Sequence, residues 1–396
     1  MKIIQMFSSL ILILALVACN SDDTNSRRIK NAKAGDNNLI IGVAWSWEYD
    51  PGLLWEALEL GVEEINAKGG LLGRNLEIRR VDDKASVTQG RISAQSLVDD
   101  DKVIAVIGHE FSYISLATAP IYEYAGILMM SPSSSSPELM SRGYKMVFRN
   151  IPSDAEFGKS LAQYAHAMGY KKILIYSVRN DYGRHLSNFF ESQARFLGMD
   201  ILDRLSYQES DMQYFKETLL NWKHYYQADA LFIAGIMPHA AKIIATAKEI
   251  GMDIPIFGAD GLDSPQLLQI GGKATEGVVI ASIFHIDAFD SQKTKFYQTF
   301  KSRYQQEPDL WATQGYDALT IIAHAIEQGK SAVPTDIAKS LHNIKNWPSI
   351  TGPVSFSETG NIVGRKIVYK QVRNQKLVFL GNGAQSAAQE HQANRH

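Results

Sequence analysis

Two loops concentrate hydroxyl groups. Gly108-His109-Glu110-Phe111-Ser112 leads into a helix-period segment near Ser115, and Met130-Ser131-Pro132-Ser133-Ser134-Ser135-Ser136-Pro137-Glu138 follows a second short apolar run. Serine hydroxyls together with the free N–H groups of a helix start hold a carboxylate without any cationic side chain. A single serine of this kind is ordinarily just an N-cap. Two such loops on neighbouring strand ends suit one shared anion site. Aromatic residues accompany them. Trp45 and Trp47, in the loop Trp45-Ser46-Trp47-Glu48-Tyr49-Asp50-Pro51, either shape a side-chain pocket or pack beneath it.

Motifs for catalysis do not appear. No G-x-G-x-x-G follows the first apolar run, and the loop there is too bulky for a backbone to approach a pyrophosphate. Gly329-Lys330-Ser331 lacks the upstream glycine of a P-loop, and there is no G-x-S-x-G elbow. The histidines show no paired-ligand spacing, and His166, His185, His224 and His324 read as helix-surface or satisfied side chains. Asp82-Asp83 reads as a solvated strand end, because neighbouring carboxylates on a strand point to opposite faces. No enzymatic activity, metal or cofactor is expected.

The elements that must carry these loops alternate. Short Val- and Ile-rich runs at 39–44, 103–108, 173–176, 231–234 and 278–283 suit strands buried on both faces. Between them lie helix-period segments at 53–68, 88–98, 157–168, 185–197, 214–226 and 239–250, several closing on a glycine such as Gly169, Gly198 or Gly251. This alternation predicts an α/β fold with parallel sheets and right-handed crossovers. The pattern breaks near Arg149-Asn150-Ile151-Pro152, which suggests two similar halves. Ligands of such sheets sit beyond the carboxyl ends of the strands. Loops there begin at Trp45, Asp83, His109, Ser131, Ser177, Gly235 and Ala259, the last leading to Asp260.

Forty basic against 42 acidic residues leave a net charge of −2, with no excess to draw the chain onto nucleic acid. The single cysteine excludes an internal disulfide and any multi-cysteine metal site. Its position matters more. An apolar run at 10–18 is too short to span a bilayer, and Leu16-Val17-Ala18-Cys19 resembles the lipobox of bacterial lipoproteins, with Val17 the less usual residue. That resemblance implies cleavage of a signal peptide, 1–18, and acylation of Cys19. The protein would then be periplasmic and lipid-anchored, with Asn20 favouring the outer membrane of a Gram-negative host. Residues 19–38 are polar and read as a flexible tether, and 382–396 as a frayed polar tail.

Further stretches carry a wider resemblance. They are Val62-Glu63-Glu64-Ile65-Asn66-Ala67-Lys68-Gly69-Gly70 with Gly73, then Ile107-Gly108-His109, then Gly126-Ile127-Leu128-Met129-Met130-Ser131-Pro132 on to Arg142-Gly143-Tyr144. Asp181-Tyr182-Gly183, Gly258-Ala259-Asp260-Gly261 and Thr351-Gly352-Pro353 agree more weakly. The sequence thus resembles the leucine/isoleucine/valine-binding proteins, within the type I periplasmic binding proteins. The resemblance implies two Rossmann-like lobes joined by three crossover strands. Residues 39–152 with 284–363 would form the N-terminal lobe, and 153–283 with 364–381 the C-terminal lobe.

It also implies roles. Ser112 and Ser135 match the positions that hold a ligand carboxylate, with Ser133 offering backbone contacts. Asp260 matches the acid that pairs with an α-ammonium, and Tyr182 the aromatic residue beside it. Ile236 departs from the family, where the leucine-binding protein has tyrosine. Ala85 and Phe111 stand where some members have a disulfide. The implied function is ligand binding for an ABC importer. A monomeric protein would deliver a branched-chain, aliphatic or aromatic amino acid to permease and ATPase subunits. The alternatives are a sensor of the same fold, or a binder of another small carboxylate or amide.

Overall fold

The computed structural model describes residues 24–35, 38–49, 52–208, 213–288 and 292–393. Cys19 and the segment read as a signal peptide lie outside the described residues. A five-stranded parallel sheet has the order β2-β1-β3-β4-β5, formed by β1 (Leu39–Trp45), β2 (Leu76–Asp82), β3 (Val103–Gly108), β4 (Leu128–Ser131) and β5 (Val147–Arg149). Every residue of β1, β3 and β4 is buried, because helices cover both faces. The connecting helices are α2 (Leu54–Ala67), α3 (Val87–Asp99), α4 (Ser112–Ala125) and α5 (Pro137–Ser141).

The second sheet has seven strands. Its parallel part contains β6 (Lys172–Val178), β7 (Asp200–Tyr207), β8 (Ala230–Ala234), β9 (Ile256–Gly258) and β10 (Val279–Ser282). A hairpin of β13 (Val368–Arg373) and β14 (Lys376–Asn382) extends it antiparallel beyond β10. Helices α6 (Asp154–Ala167), α7 (Asp181–Phe196), α8 (Phe215–Tyr225), α9 (His239–Glu249) and α10 (Pro265–Gly271) belong to this half. After β10 the chain returns to the first half. There α11 (Gln292–Tyr304), α12 (Leu310–Gly329) and α13 (Pro334–Asn343) pack, followed by the short pair β11 (Trp347–Ser349) and β12 (Gly352–Val354). The chain therefore passes between the halves after β5, after β10 and before β13.

The strand runs read from sequence coincide closely with β1, β3, β6, β8 and β10. Strands without such a run include β2 and β7, edge strands with mixed exposure and no continuous apolar stretch. Helix α7 starts at Asp181, ahead of the apolar periodicity at 185. The Asn180 side chain caps it, accepting from the Gly183 N–H at 3.0 Å. Gly169 and Gly198 follow their helices at φ 82° and 79°, a region that a β-carbon disfavours.

Two polar segments correct the sequence reading. Residues 24–33, expected within a flexible tether, form helix α1 against the first half. Arg28 is buried and donates to the carbonyls of Val103 (2.9 Å), Val98 (2.5 Å) and Ala125 (3.3 Å), while Arg74 reaches back to Ala32 O and Asn31 O. The docking rests on a guanidinium gathering carbonyls from the ends of α3 and α4 and the start of β3, so apolar patterning gives no sign of it. The tail likewise forms helix α14 (Ala384–Ala393) on α6. Ala387, Ala388 and His391 are buried, and the His391 Nδ1 meets the Tyr164 hydroxyl at 2.6 Å.

Candidate ligand-binding site

Between the carboxyl ends of the two sheets lies a cavity of about 650 Å³, counting its mouth. Glu110, Phe111, Ser112, Tyr113 and Ser133 line it from the first half; Tyr182, Ile236, Met237, Asp260 and Asp263 line it from the second. Its position follows from topology, since both sheets turn their strand ends and following loops towards it.

The first wall is built from backbone. Ser112 opens the 14-residue α4, and Phe111 before it makes no side-chain cap. The Ile114 and Ser115 N–H groups both converge on Phe111 O at 3.0 Å, and this helix start carries the positive end of the α4 dipole. The serine loop is pinned from behind: Arg149 donates to Ser134 O (3.3 Å) and Ser136 O (2.8 Å), and Gln314 to Pro132 O (3.0 Å). Across a trans peptide the N–H points opposite the carbonyl. The Ser133 and Ser135 N–H groups are therefore turned away from Arg149 and Gln314. Ser112 Oγ accepts from the Ser136 N–H at 3.3 Å, joining the two loops.

Beneath this wall His109 is fully buried, with Nδ1 2.7 Å from Asp83 Oδ2 and Nε2 3.1 Å from the Tyr122 hydroxyl. Asp83 also accepts from Ser46 Oγ at 2.5 Å. This corrects the reading of Asp82-Asp83 as a solvated strand end. Asp83 is buried because its two partners, 37 and 26 residues away in sequence, arrive on adjacent strand ends.

The second wall presents one acid. Asp260, 3% exposed, follows β9 in a short 3₁₀ turn and accepts from the Tyr182 hydroxyl at 3.0 Å. Tyr182 in turn accepts the Gly261 N–H at 3.1 Å. Burial pushes the Asp260 carboxyl up to about 7; the Tyr182 hydrogen bond works against this, and the charge of Asp263 adds to it. Asp263 itself is neutralised by Lys370, at 2.7 and 2.9 Å, and accepts from Ser282. Among the described residues, no Lys, Arg or His forms an ion pair with Asp260, whose side-chain partner is the Tyr182 hydroxyl. A buried acid without a counter-charge, facing a wall of N–H donors, is complementary to a molecule bearing a cation at one end and an anion at the other.

Residues 52–376 match the family model for periplasmic binding proteins. The chain belongs to that family. It is 27% identical over 304 residues to the leucine-, isoleucine-, valine-, threonine- and alanine-binding protein of Pseudomonas aeruginosa, covering 76% of this chain and 80% of the relative. Among solved structures, an ABC transporter substrate-binding protein from Desulfitobacterium hafniense in complex with Leu superposes with a TM-score of 0.78. The identity is 34%, covering 87% of this chain and all of that one. A leucine-binding protein from Thermotoga maritima gives a TM-score of 0.81 at 28% identity, covering 87% and 98%.

In this periplasmic binding protein, Ser112, Ser133, Tyr182 and Asp260 all line the cavity. Three other expected residues are placed differently. The Ser135 hydroxyl donates to Asp154 Oδ1 at 2.7 Å, so only its backbone is turned towards the loop's open side. Trp45 ends β1 behind Trp311, edge to face at 5.9 Å, and it is Trp311 that lines the cavity. Trp47 packs away from the cavity: its indole donates to Val81 O, its ring meets Trp55, and Arg80 lies over it at 4.1 Å. Lining residues missed from sequence include Tyr49, Glu110, Tyr113 and Trp311. Glu110 lay within the quoted loop beside Ser112. Trp311 comes from a helix that follows the last expected strand, and no local signal connects it to the site.

Proposed function

We propose that this periplasmic binding protein is the ligand-binding component of an ABC importer, carrying a small amino-acid-like solute between its lobes to a permease. The ligand carboxylate would meet the Ser112 hydroxyl, the Ser133 N–H and the first turn of α4. Its ammonium would meet Asp260, held by Tyr182. The observation that carries this reading is the buried Asp260 carboxyl without a counter-charge, set across the cavity from those donors. Export and lipid attachment at Cys19 belong to the same proposal and are supported by the lipobox-like segment.

Thermal-shift screening against amino acids and small carboxylates tests it. A ligand that binds only the native state raises the melting temperature with concentration. Stabilisation by a zwitterion that disappears in Asp260→Asn is the expected result. Stabilisation by simple carboxylates alone, unchanged in that variant, would overturn it.

A further inference from the structure

Two residues in loops marked by topology, Lys84 after β2 and Arg179 after β6, hold nothing in the inner cavity. They belong to different lobes, yet both line an outer chamber of about 1740 Å³, counting its open mouth. Tyr49, Tyr113 and Asn180 border this chamber and the inner cavity alike, so the two adjoin within one cleft.

The chamber is basic. Four cations line it, Lys84, Arg179, Arg184 and Arg204, against one acid, Asp181. Arg184 is matched by Asp181 at 2.7 Å and Arg204 by Glu191 at 2.9 Å. Lys84 and Arg179 form no ion pair with any described residue. The Arg179 guanidinium instead reaches Ser206 Oγ at 3.4 Å and Ser206 O at 3.3 Å, both neutral. One exposed cation is an ordinary solvated group. Two on facing lobes, lining one chamber, repel each other as the lobes approach. An anion between them turns that repulsion into attraction, and only in the shut state do both lobes reach it.

Lys84 is also held in place. Lys84 and Ala85 both lie at φ 51°, a left-handed conformation that a β-carbon disfavours. Asp82 accepts from the Lys84 N–H at 2.8 Å, and the buried Asp83 accepts from the Ala85 N–H at 3.2 Å. The Tyr113 hydroxyl donates to Ala85 O at 3.0 Å. Tyr113 directly follows Ser112 on α4, so the loop carrying Lys84 is fixed to the first wall of the inner cavity.

We propose that the outer chamber is an anion subsite, in which a carboxylate or phosphate group bridges Lys84 and Arg179 across the mouth of the cleft. That group belongs to the far end of the solute in the inner cavity or to a free anion bound over it, and the chemistry that recognises it is the same. The first source rests on the amino-acid placement given above.

Calorimetric titration of the purified chain tests the subsite and separates its sources. γ-L-Glutamylglycine and its C-terminal amide differ by one distal charge and probe the first. Inorganic phosphate, added alone and after L-leucine, probes the second. Wild type is expected to bind the acid at least tenfold more tightly than the amide, or to bind phosphate. The double variant Lys84→Gln with Arg179→Gln should lose that gain tenfold or more, while leucine and the amide stay within threefold. An acid no better than its amide, together with no binding of phosphate, overturns the subsite. A gain that survives in the double variant overturns it equally. The inner cavity is judged apart from both, since its reading fails if Asp260→Asn leaves the binding of leucine or the amide unchanged.

Discussion

The Tyr182 hydroxyl donates to Asp260 Oδ1 at 3.0 Å across 78 residues of sequence while accepting the Gly261 N–H, so one side chain fixes both the direction and the basicity of the acid. The arrangement is costly to the empty protein. A carboxyl held neutral by burial up to about pH 7 binds its proton more tightly in the folded chain than in the unfolded one.

That linkage has a definite sign. Below the unfolded value near 3.8 both states are protonated and Asp260 carries no penalty. As pH rises to about 7 the unfolded chain ionises first and folded stability falls, by up to roughly 4 kcal/mol for a shift of about three units. Asp260→Asn should therefore raise the melting temperature of the ligand-free protein at pH 8 while removing binding of zwitterions. Calorimetric scans at pH 5 and pH 8 check it. A variant less stable than wild type at pH 8 would show that Asp260 supports the fold instead of the ligand.

Binding itself should depend on pH through the same group. An ammonium pairs with the ionised carboxylate, so affinity is expected to be flat above pH 7 and to fall about tenfold per unit below it. In Tyr182→Phe the hydrogen bond that lowers the Asp260 value is lost, and the break in the profile should move to higher pH. Titrations between pH 5.5 and 9 report the two breaks. Identical profiles for the two proteins would separate Tyr182 from the chemistry of the site.

How far the sequence leads can be read from particular residues. The buried strands announce themselves as apolar runs, and the loops at their carboxyl ends follow from topology. The loops that hold Ser112, Ser133 and Asp260 could therefore be marked in advance, while the roles of those residues came from the family resemblance. Trp47 could not be placed, because a tryptophan two residues past a strand can turn to either side, and Arg80 with Trp55 decides the matter. Arg28 and Asp83 escaped for a related reason. Their burial depends on carbonyls, a histidine and a serine brought from distant positions, and polar residues carry no periodic trace of such partners.

Helix α1 offers a stability test that leaves the site alone. Arg28 binds at Val103, the amino end of β3, whereas the cavity lies beyond Gly108 at its carboxyl end. Arg28→Met keeps much of the stem but strands the carbonyls of Val98, Val103 and Ala125. The expected loss is about 3 kcal/mol, from buried acceptors left without a charged donor. Denaturant titration should show it, together with faster proteolysis within residues 24–33 and an unchanged ligand affinity. Unaltered stability would mean that α1 docks without its arginine.

Hydrogen bonds join the two walls directly, Tyr49 Oη to Met237 O at 3.2 Å and Ser136 Oγ to His185 Nδ1 among them. Ser136 Oγ lies 3.0 Å from His185 Nδ1 on α7, while the Ser136 N–H donates to Ser112 and its carbonyl accepts from Arg149. Ser136 thus links the serine-loop wall of the first lobe to a helix of the second. Breaking that link should leave encounter with ligand unchanged, because the bond forms only once the lobes meet, and should hasten release. A net hydrogen-bond contribution of about 0.5–1.5 kcal/mol corresponds to a dissociation rate roughly 2- to 12-fold faster in His185→Ala. Stopped-flow measurement of Trp311 fluorescence, beside the ligand, reads both rates. A slower association with unchanged release would place His185 in the approach to the cleft instead of in its closure.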